Sequence, residues 1–392
     1  MRDDLAAADR RFEVREAARG WQRAGAIDEA TRAKIDAAYP DDRSRLGEIF
    51  RVLVFGFTLV VLLSALGILG LMVASAGDKA AFLFFLCGIG LAALTEAQIG
   101  AFRRRQGGTE AATAFLAVLL VIGASLWLYY QGLRPRDELA INAALVLAVV
   151  VLGAAGYRWG YALFVGLATV AAFVLLARAP FGRLLCAIVP LALTPFVLRA
   201  SDSSDLAPSH RRSCEAIAVV ALVFVYLAVH LASWDLGILE VLTGHWREAS
   251  GAPRPFRPFF AVATALVPVL TLAWGIRSRR RLLINLGLVG LLASIVTLRV
   301  YVHVAPLWLA LIVGGGAAIG LALLLQRYLD SGAGRERGGF TAEPVFTEPE
   351  GRSALELAAS AASFAPAPRP VQQPGFQGGG GRSGGGGATG NY

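Results

Sequence analysis

Long apolar stretches alternate with short polar segments over most of the chain between residues 52 and 326. Each stretch is close to the roughly 20 residues that a helix needs to cross a hydrocarbon core about 30 Å thick. Only helices and closed barrels satisfy their backbone polar groups in lipid, so the pattern predicts an all-α, polytopic transmembrane helix bundle. The predicted spans, about ten, are residues 52–74, 80–101, 111–130, 138–156, 159–177, 182–198, 215–234, 257–276, 282–299 and 305–326.

Two features of these spans leave their geometry open. The fourth to sixth are short and closely spaced, so that a re-entrant segment among them is the alternative to three complete crossings. Pro190 and Pro195 interrupt the sixth span, and Pro268 interrupts the eighth. Broken helices mark substrate sites in many transporters, but proline is also common in membrane helices that have no such role.

The polar residues 1–48 predict a cytoplasmic hairpin of two helices. Gly25 stands where a helix end favours positive φ, and Asp28 follows as the N-cap of the second helix. Two helices of this size bury too little apolar surface to be stable alone, so they must pack on the membrane face, on the loops or on another copy. The residues expected to pack within the hairpin are Trp21, Gly25, Asp28, Ile35 and Tyr39.

The end of the chain changes character after the last span. Glycine, proline, alanine and serine dominate residues 331–392, and such a composition buries too little apolar surface to fold, which predicts a disordered tail. The chain therefore divides into the hairpin at 1–48, the transmembrane bundle at 49–330 and the tail at 331–392.

Composition and charge place the bundle in a membrane and orient it. The chain is 56% hydrophobic with a net charge of +9, and nearly all of its basic residues are arginine, which we interpret as a bacterial coding bias. Arginine clusters at 103–105 and 277–281 follow the second and eighth spans. The positive-inside rule then places both termini in the cytoplasm, in a multi-pass protein of the bacterial inner membrane. The same rule explains the basic charge without nucleic-acid binding.

One polar group lies inside an apolar span. Glu96 is in the second span beside Gln98, Arg51 enters the first span from the same side, and Asn285 opens the ninth at similar depth. A carboxylate at this depth is costly and should face protein or water with a partner. The four residues predict either an intramembrane relay for protons or ions, or a structural ion pair between Glu96 and Arg51 that locks the first two spans together.

A second polar set is expected on the outer side of the membrane. Three histidines and two carboxylates could bind a divalent metal, but their spacing matches no ligand motif, and an aromatic interfacial belt accounts for their surroundings. The sequence therefore predicts no metal site, no cofactor and no catalytic residue. The five residues are His230, His245, His303, Asp235 and Glu240.

The hairpin carries a resemblance to a known family. Trp21, the run AGAID at 24–28, Ile35 and the pair Tyr39-Pro40 resemble a bacterial family of predicted membrane proteins catalogued as domain of unknown function 2157. The resemblance covers roughly residues 10–150 and implies a short hairpin before many spans, with no catalytic residues to carry over. The glycine-rich tail is similar to the tails of some other bacterial membrane proteins.

These observations predict a non-enzymatic membrane protein that contacts the lipid bilayer. Its hairpin or its tail would recruit or sense a protein partner. The alternative is a transporter of small solutes or ions with a polar path near Glu96. A membrane-embedded enzyme ranks below both, because the sequence shows no nucleophile with an adjacent base.

Overall fold

The computed structural model describes residues 3–23, 25–73, 78–133, 137–243, 252 and 254–302, with scattered positions between 312 and 341. The chain forms two compact units, Met1–Ala305 and Pro306–Tyr392. The helices of the first unit are α1 (Asp3–Arg23), α2 (Glu29–Ala38), α3 (Glu48–Met72), α4 (Asp78–Gly100), α5 (Thr109–Leu133), α6 (Asp137–Trp159), α7 (Ala162–Ala177), α8 (Gly182–Ser201), α9 (Pro208–Val229), α10 (Leu231–Asp235), α11 (Ile238–Thr243), α12 (Arg257–Ser278) and α13 (Arg281–Val302), with a 3₁₀ helix at Arg254–Phe256.

The second unit is described only in part. The described positions between 312 and 330 are helical, and two-residue strands β1 (Glu336–Arg337) and β2 (Phe340–Thr341) pair antiparallel. The tenth predicted span, 305–326, is therefore helical at its described positions, and its other residues lie outside the described part of the chain. Most of the predicted disordered tail, 331–392, also lies outside it.

The all-α prediction is confirmed for the first unit, and the helices identify a multi-pass membrane protein. Eight helices in the described residues are long and apolar enough to cross a membrane: α3, α4, α5, α6, α8, α9, α12 and α13. Their outward faces carry large apolar side chains, such as Phe57, which is 72% exposed. Exposure of so much apolar surface is stable only where lipid replaces water.

The fifth predicted span is the shorter helix α7, which has 16 residues. It begins at Ala162, next to the end of α6, and ends at Ala177, with Arg178 as its C-cap. The Arg178 guanidinium contacts Glu138 and donates to the Asn142 side-chain oxygen at 2.6 Å, both near the start of α6. Helix α7 thus runs back along nearly the whole of α6, over about 24 Å, which favours a complete traverse over a re-entrant segment.

The seventh predicted span began too late in the sequence. The predicted span is 215–234, whereas α9 begins at Pro208 and ends at Val229. Pro208 occupies the first turn, where its missing N–H costs no hydrogen bond. The charged residues Arg211 and Arg212, which resemble a loop in sequence, extend the helix beyond its apolar part.

The prolines do not break their helices. Helix α8 continues through Pro190 and Pro195, and α12 continues through Pro268. The Thr194 hydroxyl donates to the Pro190 carbonyl at 2.7 Å, and Pro268 packs closely on Gly290 of α13. Pro268 therefore serves helix packing, and α8 and α12 lack the unwound segments that bind substrates in transporters.

Three apolar clusters form the interior of the bundle. The first joins Leu5 of α1 to α4–α7, including Trp159 and Phe164. The second joins α7, α8, α9 and α11, and the third joins α8, α9 and α13. Helices α7 and α9 therefore connect successive clusters, and α1 is part of the bundle core.

The loops gather at two ends of the bundle. We call the end that carries α1 and α2 the hairpin end. It also holds the loop at 101–108, the turn at 160–161 and the loop at 202–207, because Arg10 donates to the Asp205 carbonyl at 2.7 Å. The turn at 279–280 belongs to the same end, since Arg280 donates to the Leu198 carbonyl at 2.8 Å. The opposite end holds the turn at 178–181 with α10 and α11.

Cysteine labelling tests this arrangement. In a background without the three native cysteines, we expect single cysteines at Arg104, Asp205 and Arg279 to react with an impermeant maleimide from the cytoplasmic side. A cysteine at Phe181, the control, should react from the other side. Labelling of positions 104 and 205 from opposite sides would contradict the topology.

Candidate functional site

A buried carboxylate fixes the hairpin to the bundle. Asp9 of α1 is 7% exposed, and it lies 2.7 Å from Arg105 Nη2 and 3.2 Å from Arg45 Nη2. Arg45 Nε is also 3.0 Å from an Asp41 carboxylate oxygen. Two guanidinium groups are thus balanced by two carboxylates, and such pairing is required because an isolated buried charge costs several kcal/mol.

Arg105 joins the hairpin to the end of α6 as well. Its Nη1 donates to the Trp159 carbonyl at 2.6 Å. This carbonyl lies at the C-terminal end of α6, where the negative end of the helix dipole stabilises a cation. Burial alone would lower the pKa of the Arg105 guanidinium, but its hydrogen bonds to Asp9 and the charge of Asp9 raise that pKa above the usual value. The side chain therefore stays charged and connects α1, the loop at 101–108 and α6.

Backbone pairing holds the two arginines in place. The Ser44 N–H donates to the Arg103 carbonyl at 3.2 Å, and the Arg105 N–H donates to the Ser44 carbonyl at 3.1 Å. The segment between α2 and α3 thus lies along the loop that precedes α5. Gly108, with φ +93°, packs directly on α3, since a Cβ there would lie 2.5 Å from the Arg51 carbonyl oxygen.

A cavity of about 510 Å³ lies beneath the hairpin, among α1, α3, α7, α9 and the loop at 101–108. We call it the hairpin cavity. Its apolar wall includes Val52, Phe55 and Leu163. Its polar wall carries four guanidinium groups and three carboxylates, from Arg45, Arg51, Arg105, Arg212, Asp9, Glu13 and Glu16.

Two residues that line the hairpin cavity have polar atoms without a partner. Arg45 Nη1 and the Tyr161 hydroxyl are inaccessible to water and have no hydrogen-bond partner among the described residues. Burial, with a smaller contribution from the charge of Glu110, raises the pKa of Tyr161, so the hydroxyl stays protonated and remains a donor. Buried polar atoms normally have hydrogen-bond partners, so the unmet donors of these two residues are an unusual feature of the cavity.

Glu96 has a partner that the sequence did not single out. Its carboxylate lies 2.7 Å from Arg158 Nε, and the Trp159 indole N–H donates to it at 3.0 Å. Both charged side chains are partly exposed, Glu96 at 31% and Arg158 at 54%. Glu96 therefore links α4 to the end of α6, at the hairpin end.

The other residues of the predicted polar site lie apart from this pair. Gln98 is buried near the end of α4, and its side-chain oxygen has no hydrogen-bond partner in the described part of the chain. Arg51 lines the hairpin cavity, which Glu96 and Gln98 do not. Asn285 is exposed on α13. The cavity thus includes one of the four residues, and the ion pair between Glu96 and Arg51 stays a prediction.

The hairpin residues lie mainly on its outer surface. Gly25 has φ +71° in the turn, and the Asp28 carboxylate accepts from the Thr31 N–H at 2.8 Å. The Thr31 side chain, and then this backbone bond, lower the Asp28 pKa. Trp21 is 52% exposed and Tyr39 is also exposed. Helix α2, which includes the half-buried Ile35, has no fully buried residue. An ion pair of 2.9 Å between Arg15 and Asp36 joins the two helices.

The outer polar residues have separate contacts. His230 Nε2 lies 3.0 Å from the Thr297 hydroxyl, Asp235 pairs with Arg257 at 3.2 Å, and Glu240 pairs with Arg183 at 2.6 Å. His245 and His303 lie outside the described residues. Among the described residues, these side chains therefore support the helix ends of the opposite end.

Sequence reasoning missed Asp9, Arg45 and Arg105. A usable signal was present in α1, where Leu5, Ala8, Asp9 and Phe12 follow one another at helical spacing. A carboxylate on an otherwise apolar helical face requires a cationic partner when that face is buried. Nothing in that pattern says which of the many arginines supplies it.

Comparison with protein-family models, curated proteins and solved structures found no match to this chain. The resemblance of the hairpin to a family of unknown function accordingly stays a prediction.

Substitution of Asp9 tests the importance of the buried network. Asp9→Asn leaves the buried charge of Arg105 without a carboxylate partner and leaves Arg45 with Asp41 alone, and we expect a loss of about 3–5 kcal/mol. Thermal unfolding in detergent should show a large fall in Tm, and trypsin should cleave the hairpin faster.

The matched control is Asp42→Asn at the same end. Asp42 pairs with Arg103 at 2.8 Å, but both side chains are exposed, so the expected loss is about 0–1 kcal/mol. Equal effects of the two substitutions would show that the buried pairs do not hold the hairpin in place.

Proposed function

We propose that this multi-pass membrane protein recruits or senses a protein partner through its N-terminal hairpin, without a catalytic step of its own. The main support for this proposal is a difference in burial between the two hairpin helices. Helix α1 is fixed to the bundle through buried Asp9, whereas α2 has no fully buried residue. The exposed Trp21 supports the proposal, since tryptophan is enriched where proteins bind one another.

The attachment of α1 would let a bound partner influence the bundle. Besides Asp9, α1 contacts the loop at 202–207 through Arg10, and Glu13 pairs with Arg211 of α9. Arg43, which follows α2, pairs with Asp4 at 3.0 Å and donates to the Ile99 carbonyl at 2.8 Å. A force on α2 therefore reaches the ends of α4, α6 and α9 through short polar contacts.

Ionisable groups at the hairpin end support a structural role. The carboxylates of Asp4, Asp9, Asp41 and Asp42 each lie within ion-pair distance of an arginine. Each of these carboxylates therefore contributes to the contacts that hold the hairpin and its neighbouring loops together. The proposal includes the cytoplasmic location of the hairpin, which the arginine clusters favour.

Site-specific photocrosslinking in cells tests the recruitment proposal. A photoreactive phenylalanine at Trp21 or Tyr39 should give a discrete protein adduct, because both positions are exposed on the hairpin. Trp21→Ala should weaken the adduct formed from position 39 without changing membrane insertion, since it removes apolar contact area.

The matched control is the same photoreactive residue at Phe102. Phe102 is an exposed aromatic at the hairpin end but outside the hairpin. An adduct from position 102 equal to those from positions 21 and 39 would indicate random collision. No adduct from either hairpin position would contradict recruitment through this surface.

Transport along a polar path near Glu96 is the alternative. A groove of about 340 Å³ between α4, α5 and α6 ends at Arg158 and Trp159, next to Glu96. Its other lining residues are alanine and valine. Ion transport needs polar groups along its path, so this apolar groove favours a structural role for the Glu96–Arg158 pair.

A double-mutant cycle separates the two roles of Glu96. For the structural role, Glu96→Gln and Arg158→Gln should each lower Tm in detergent, and the double variant should lose less than their sum. The expected coupling is about 0.2–1 kcal/mol, because both side chains are partly exposed.

Proton flux into proteoliposomes, read with a pH-sensitive dye, completes the test. A relay predicts measurable flux in the unmodified protein and its loss in Glu96→Gln at unchanged Tm. Coupling with no such flux would support the structural role, and additive losses would show that Arg158 is not the functional partner.

A further inference from the structure

The hairpin cavity lies at the level where lipid head groups meet a membrane protein. It is bordered by the first turns of α3 and α7 and by the start of α9. These are the points at which three apolar helices leave the hairpin end. A site at this depth has one wall facing the hydrocarbon core and one wall facing the polar head-group region.

The two walls of the cavity match those two environments. Val52, Phe55 and Leu163 supply apolar surface, and Val52 is exposed. Four guanidinium groups against three carboxylates leave an excess of one positive charge on the polar wall. The volume of about 510 Å³ falls within the range of about 300–1,000 Å³ that is usual for small-molecule sites.

The unpartnered donors indicate the charge of the ligand. The Arg45 side chain is 8% exposed, and its Nη1 and the Tyr161 hydroxyl have no partner among the described residues. Arginine can only donate hydrogen bonds, so the group that satisfies Arg45 must be an acceptor. Phosphate oxygens accept several such bonds, and charge-assisted bonds from arginine are among the strongest in proteins.

From this combination we infer that the hairpin cavity binds the phosphate of an anionic phospholipid, with its acyl chains along Val52, Phe55 and Leu163. The lipid head group would contact Arg45 and Tyr161, and would lie between α1 and the bundle. The inference goes beyond the proposed function and needs no protein partner. Lipid binding can therefore fail while recruitment through α2 persists, and the reverse also holds.

Lipid-dependent stability of the full-length protein in detergent tests the inference. Added phosphatidylglycerol should raise Tm more than equal amounts of phosphatidylcholine, because the site carries excess positive charge. Native mass spectrometry should show retained phosphatidylglycerol. Inorganic phosphate should raise Tm less, since it lacks the acyl chains that contact the apolar wall.

Tyr161→Phe is the decisive variant because it removes only the hydroxyl. Without lipid, its Tm should stay close to that of the unmodified protein, since the O–H group donates no hydrogen bond in the described structure. With lipid, loss of a hydrogen bond to a charged group should weaken phosphatidylglycerol binding about 10-fold. Tyr130→Phe, the same change outside the cavity, should leave lipid binding unaltered.

Arg212→Gln provides a second variant at an exposed residue of the cavity, with Arg199→Gln, on α8 outside the cavity, as its control. The first should weaken phosphatidylglycerol binding and the second should not. Equal stabilisation by the two lipids, or equal losses in variant and control, would overturn the inference. Stabilisation by inorganic phosphate as strong as by phosphatidylglycerol would show that the site takes a free anion instead.

Discussion

The buried carboxylate of Asp9 is the interaction on which the hairpin end depends. It pairs with Arg45 and Arg105, which come from two separate loops. Arg105 would otherwise be a buried charge without compensation, and Arg45 would keep Asp41 as its one carboxylate partner. Removing a buried charge partner costs far more than an exposed one. One side chain on α1 therefore fixes the path of the segment before α3, the loop before α5 and the end of α6.

The surrounding lipid explains why large apolar side chains can lie on the outer surface of the bundle. Large apolar side chains cover the outside, where they would be unstable in water, while many of the buried side chains between the three apolar clusters are alanine, serine or threonine. The hydroxyl groups of Thr95, Thr264 and Thr271 donate to carbonyl groups one turn earlier, so they satisfy their own hydrogen bonding within the helix. Small residues then allow close helix contact, as for Gly156 against Val165.

The sequence predicted the helices well because a membrane span depends on local composition. About 20 apolar residues suffice to identify a span, and nine predicted spans are helices in the described residues, counting the short α7. The predicted start of α9 was wrong for the same reason, since Arg211 and Arg212 have the composition of a loop. The prolines of α8 were ambiguous because sequence alone does not show whether a neighbouring helix accommodates them.

The site was harder to predict because its contacts are distant in sequence. Asp9 and Arg105 are 96 positions apart, and Glu96 and Arg158 are 62 positions apart. The sequence analysis pairs Glu96 with Arg51 because the two residues lie at similar membrane depth. Several other arginines share that depth, so depth alone does not identify the partner. The partner depends on which helices are neighbours and on how each is rotated, and apolar composition carries little information about either.

The ion pairs at the two ends of the bundle differ in how much they stabilise the fold. Arg158 with Glu96 and Arg257 with Asp235 are partly exposed, so water competes for them. Asp9 and Arg105 are almost fully buried, and their pairing forces the hairpin to close over the hairpin cavity. Arg45 is held by Asp9, by Asp41 and by the Ala8 carbonyl, so its remaining donor Nη1 cannot turn to another acceptor without breaking one of these contacts. Closure of the hairpin and the fixed position of the unpartnered Arg45 Nη1 at the cavity therefore both depend on the buried carboxylate of Asp9.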